Sequence, residues 1–154
     1  MPLQRVAKHE VAAELLDRAM RLYLQHDSYF AAIHLAGAAE EVLAVYARSH
    51  GLVPAYDSTK TAIVALAPGR PGLELVKDED REVANLLNEA KNSVKHKKGK
   101  ADDWIEIDPR EEAGELIERA LLTLFQLPPS LGLRTPELTA LFHEERHGPA
   151  PSEA

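Results

Sequence analysis

The chain of 154 residues carries 25 acidic and 18 basic side chains, a formal net charge of -7, 45% hydrophobic residues and no cysteine. That much apolar material suits one packed domain rather than a disordered chain, and the lack of thiols excludes disulfides and thiolate-bound metal. The acidic balance excludes bulk attraction to nucleic acid, so any RNA or DNA contact has to be local.

In chain order, the first twenty residues mix charge with apolar side chains and lack the continuous apolar run of a signal peptide. No stretch reads as the roughly 20 apolar residues that cross a bilayer. A cytoplasmic protein without membrane contact is expected. Ala12, Leu15, Leu16, Ala19, Leu22 and Tyr23 recur with helical spacing and predict a first helix that stops near His26-Asp27. Asp27 or Ser28 can cap a second helix, which runs to Gly51, where glycine suits a left-handed turn. So short a break between two long helices implies an antiparallel hairpin.

A short helix is expected at 58–67, capped by Asp57 or Ser58 and stopped by PGRPG at 68–72. A further helix starts in the acidic run 78–80, uses Val83, Leu87, Ala90 and Val94 as its core stripe, and closes with lysines and Gly99. DPRE at 108–111 offers an aspartate cap, a proline at the first helical position and an acid at the third. Ala113, Leu116, Ile117, Ala120, Leu121 and Leu124 supply the apolar face of the helix it opens. WIEI at 104–107 alternates and is expected to be extended, with Trp104 buried. Pro128-Pro129 ends the main domain, and a last helix is expected with Thr135 as cap and Pro136 at its first position. The reading is all-α: an antiparallel bundle of four main helices with a short extra helix over residues 1–127, then a Pro-rich linker, C-terminal helical appendage and frayed tail over 128–154.

Lys91 to Lys100 holds five lysines and a histidine. Lysines in a last helical turn complement the negative end of the macrodipole, and such runs are commonly solvated. Within it, KNSVKH (Lys91 to His96) resembles the R-N-x-x-x-H element of the HEPN superfamily, with lysine in the arginine position. SYFAAIHLAGAAEEVL also looks like the family's early helices, and the resemblance covers residues 15–127. It implies a small antiparallel α-helical bundle, often dimeric, and in many members a metal-independent endoribonuclease of toxin or defence type. By that resemblance His96 is the acid/base, Asn92 orients it or the phosphate, and Lys91 replaces the arginine. No cofactor is implied. The partners implied are a second copy, RNA at the local basic patch, and a protein such as an antitoxin.

Histidine suits proton transfer because its unperturbed pKa lies near neutrality, and a fixed cation suits the developing phosphorane. Lysine is a mobile point charge where arginine offers a planar fork. At about 100° per residue Lys91 stands well over 90° around the helix from His96, so a second helix or subunit has to complete the cleft. Lys95 and Lys98 are the further anion-binding candidates. Glu41 and His34, on the second helix, are the supporting candidates, since an acid there can pair with Lys91 or orient His96. The plainer expectation is a partly buried, satisfied His34 with Glu40 and Glu41 facing water, and Gly37 marks close approach of another backbone, inside the bundle or across a dimer. The other functional reading is a non-catalytic HEPN-like module acting through protein contacts, with a weak anion patch at most.

HEERH (His143 to His147) satisfies the H-E-x-x-H zinc-protease pattern. Catalytic zinc takes three protein ligands and a protected open position. No downstream histidine supplies the third, so no metal site is assigned.

Overall fold

The computed structural model describes residues 1–66, 77–100 and 102–148, with the backbone alone described over 77–80. Among these residues the protein is all-helical: α1 (Lys8–Leu24), α2 (Tyr29–Ser49), α3 (Ala55–Leu66), α4 (Lys77–Lys95), α5 (Pro109–Gln126), a 3-10 turn at Pro129–Leu131, and α6 (Thr139–His147). The expected PGRPG stop and all but the first residue of the expected frayed tail lie outside the described residues.

Local chemistry sets several boundaries. Ser28 Oγ accepts the Ala31 N–H at 3.2 Å and starts α2, while Asp108 accepts the N–H groups of Arg110 and Glu111 at 3.0 and 3.1 Å and starts α5. Between α1 and α2 His26 takes a positive φ of 51°, and Gly51 takes 71° just beyond α2.

The core lies where α1, α2 and α5 meet, around Leu16, Met20, Tyr23, Ile33, Leu43, Ile117 and Leu121. Phe142 of α6 is wholly buried in the same core, ring-to-ring with Tyr23 at 5.1 Å. The C-terminal segment therefore packs on the core that the earlier helices build. By length and composition α2 could span a bilayer, with a mean hydropathy of 1.3 over its most apolar stretch. Half of that stretch is buried inside the protein, which is the demand its apolarity meets.

Four expectations need correction. α3 begins at Ala55, not at 58, because its first N–H is taken by Thr123 Oγ1 of α5 at 3.0 Å, a tertiary cap no local pattern reveals. α4 ends at Lys95 rather than at Gly99. Beyond it Asp102 accepts the Lys98 N–H and Asp103 pairs with Lys97, drawing the chain out of the helix before Gly99 turns it at φ 83°. α6 begins at Thr139, not at Pro136, since the Pro136 carbonyl takes both the N–H and the hydroxyl of Thr139. Trp104 is 91% exposed, because Ile107 is the residue of WIEI that packs against the core.

Candidate functional site

Two sites form around the end of α4. The inner one is a buried charge cluster. Glu40 of α2 is only 2% exposed, yet it is fully partnered. Arg119 of α5 grips it with both arms, Nε to Oε1 at 2.6 Å and Nη2 to Oε2 at 3.2 Å. Lys91 of α4 brings its ammonium to 3.4 Å from Glu40 Oε2 and 3.2 Å from Glu41 Oε1.

The Tyr56 ring of α3 receives both cations, with Lys91 Nζ and Arg119 Cζ each 5.7 Å from its centroid. Its hydroxyl accepts from Asn88 Nδ2 at 2.8 Å. Two carboxylates thus match two cations across α2, α4 and α5. Glu40, Lys91 and Arg119 are buried, where charge is tolerable only because each has a partner, while Glu41 closes the cluster at its solvent-exposed edge.

Periodicity accounts for the position of these groups. Glu40 follows Ala36 by four residues and precedes Ala44 by four, on the inward face of α2. The expected solvent-facing Glu40 is therefore wrong. Gly37 does mark a close approach, but to a side chain: a Cβ built there would stand 3.2 Å from Lys91 Cδ. Glycine leaves room for the lysine stem to reach the acids.

A cavity of about 410 Å³ opens beside the cluster, lined by Glu41, Arg48, Tyr56, Asn88, Lys91 and Asn92 among others. Arg48 there is clamped bidentately by Asp57, both distances 2.9 Å. Burial raises the Glu41 carboxyl, but hydrogen bonds and charge from Lys91 and Lys95 outweigh it and hold the group below its ordinary value.

The outer site is an open groove of about 380 Å³ lined by Ser93, Lys95, His96, Lys97, Asp102 and Trp104, among others. His96 sits just past the last turn of α4, its N–H still bonded to the Asn92 carbonyl at 2.9 Å, and its side chain is exposed. Lys97 pairs with Asp103 across the groove wall. Lys95 reaches back to Glu41 at 3.7 Å.

The sequence-predicted residues thus divide. Lys91 and Glu41 come together, as an acid on α2 paired with Lys91, while His96 faces the separate groove. Asn92 borders the inner cavity and a further depression that also takes in Lys98. His34 is exposed on α2 and lines none of these spaces, rather than being partly buried.

Sequence reasoning missed Arg119, Tyr56, Asn88 and the exposure of Trp104. For Arg119 a signal exists, since it falls three residues after Leu116 on the buried stripe of α5. Tyr56 and Asn88 carry no comparable pattern. The only other gathering of ligand-type side chains among the described residues joins α5 to α6. The chain matches no family model, no curated protein and no solved structure.

Proposed function

We propose that this is a HEPN-like protein whose outer groove takes single-stranded RNA and whose His96 moves protons in metal-independent cleavage of the RNA backbone. In this reading α1, α2, α4 and α5 are the four main helices of an antiparallel bundle spanning residues 1–127. α3 is then the short extra helix and residues 128–154 form the appendage.

The observation that carries the proposal is Trp104, 91% exposed on the same groove as His96 and Lys97. An indole so exposed contributes little burial to the fold, and beside cations it offers a nucleic-acid base a stacking face. Lys95 and Lys97 place cations on the groove wall, alongside Asp102 and Asp103.

The reaction needs no cofactor. The 2′-oxygen attacks the adjacent phosphorus as its proton is removed, the bond from phosphorus to the 5′-oxygen breaks, and the leaving oxygen is protonated. The product ends are a 2′,3′-cyclic phosphate and a 5′-hydroxyl. His96 would serve one of the two proton transfers. Lys95 would contribute positive charge at the groove, and Lys98 and Asn92 a flanking contact from the separate depression that they border. A second copy would complete the cleft, with an antitoxin-like protein as the corresponding regulator.

Lys91 takes a different part from the one its motif position implies. Its ammonium lies within 3.4 Å of two carboxylates and the residue is 6% exposed, so it fixes α4 to α2. That observation favours a second reading, a non-catalytic module that acts through protein contacts and holds anions weakly.

The two readings separate in one experiment. Native protein and His96→Ala are incubated with mixed single-stranded RNAs in excess EDTA. Cleavage to cyclic phosphate ends that falls by about 10²–10⁴ in the variant supports the nuclease. Binding that steepens with falling salt but gives no cleavage supports the module with an anion site. The absence of both cleavage and salt-dependent binding would sink the RNA proposal.

A further inference from the structure

The H-E-x-x-H run finds in the fold the ligand it lacks in the sequence. His143 and His147 stand one turn apart on α6, their ring centroids 5.8 Å apart. Glu118 of α5 lies against them: one donor atom from each of the three residues falls within 4.8 Å of the others. Glu118 Oε1 already meets His147 Nε2.

We propose that His143, His147 and Glu118 form a binding site for a zinc-class divalent cation that fastens α6 to α5. Two imidazoles and one carboxylate suit zinc and its first-row neighbours, whereas magnesium and calcium prefer sets of oxygen donors. Donors around a tetrahedral zinc stand roughly 3.3 Å apart, given bonds of about 2.0–2.1 Å. The set has to contract modestly, with the exposed His143 swinging toward the contact that His147 and Glu118 already make.

Glu118 is less mobile because a neighbour positions it. Arg146 Nε stands 3.3 Å from Glu118 Oε2, while its Nη atoms hold Glu111 bidentately at 2.8 Å each. The guanidinium lies flat over Gly114, where a Cβ would come within 2.5 Å of Nη1. The contact with Glu118 is an ion pair without hydrogen-bond geometry, so charge rather than a directed bond holds the carboxylate beside the histidines.

The location argues for fastening rather than proteolysis. Both histidines are exposed on a nine-residue helix, so the site offers no protected position for a water nucleophile. An ion there would join α6 to α5 right beside Phe142, whose ring already anchors α6 on Tyr23 of α1.

The test uses tag-free, full-length protein stripped with EDTA and exchanged into chelator-free buffer. Calorimetric titration with Zn²⁺ and absorption titration with Co²⁺ should each show one ion per chain, and Mg²⁺ should give no heat. His143→Ala and His147→Ala should each weaken Zn²⁺ at least about tenfold, as loss of even an outer-shell partner can. Both side chains are exposed, so the fold should survive, and circular dichroism checks this. His34→Ala, on α2, should bind as the native chain does. Unchanged Zn²⁺ affinity in the histidine variants, or no binding by the native chain at 100-fold excess of ion over protein, would overturn the site. Affinity unchanged in Glu118→Gln would also overturn it, because the three-ligand set would then be only a surface histidine pair.

Discussion

Lys91 and Lys97 lie six residues apart in one basic run, yet they live in different media. Lys91 is enclosed with Glu40, Glu41, Arg119 and Tyr56, where a missing partner leaves a charge stranded. Lys97 stands in water, paired with Asp103 and beside an open indole. The difference teaches that a motif position does not settle a residue's work; the dielectric around it does. In the interior, charge fixes how three helices meet. At the groove the same chemistry is weak for stability and available to a ligand.

The sharpest way to break this contrast is Glu40→Ala. It strands Arg119 and Lys91 without their shared acid, and unfolding in urea should show a loss of about 3–5 kcal/mol. A loss below about 1 kcal/mol would mean that the cluster is no more demanding than a surface pair. Trp104→Ala probes the other side: RNA affinity should fall by about 1–3 kcal/mol, while stability stays within about 0.5 kcal/mol of native. Should the tryptophan variant unfold instead, the indole is structural and the groove reading loses its support.

Lys91→Met keeps the aliphatic stem over Gly37 and leaves Glu40 held by Arg119. A loss of about 1–2 kcal/mol is expected, with cleavage by the folded fraction unchanged. Lost cleavage at full stability would return Lys91 to the role its motif position implies.

The smallest effect is Glu41→Gln, under about 1 kcal/mol because the group is half exposed and solvent screens it. Its sign depends on pH. The folded-state carboxyl titrates below its unfolded value, so its contribution is complete above the unfolded value of about 4.3 and disappears as pH falls through the lowered folded value. Native protein should exceed the variant at pH 7, and the gap should close once pH has fallen through the lowered folded value. A gap that persists at the lower pH would count against the Lys91 and Lys95 pairing.

Helix identity was legible because caps and stripes are local. Asp108-Pro109 announces α5, Ser28 announces α2, and the stripe from Ala12 to Tyr23 announces α1. The end of α4 was not, since it depends on Asp102 and Asp103 folding back onto Lys98 and Lys97. Glu40 was legible but misread: its spacing from Ala36 and Ala44 points inward, and only the assumption that acids face water turned it outward. Trp104 shows the converse, an apolar side chain whose size suggested burial while Ile107, three residues on, took the place in the core. The ligand set on α6 was half legible, because Glu118 precedes His143 by twenty-five residues and only the docking of two helices joins them.

The hydroxyl of Thr123 on the first N–H of α3 joins residues 68 apart in the chain. A twelve-residue helix is marginal alone, and this one receives its starting hydrogen bond from a helix synthesised long after it. α3 should therefore be among the last elements to set during folding, waiting on a loop closure rather than nucleating one. Amide exchange at Ala55 would report when α5 has docked, making one backbone proton a clock for assembly of the whole chain.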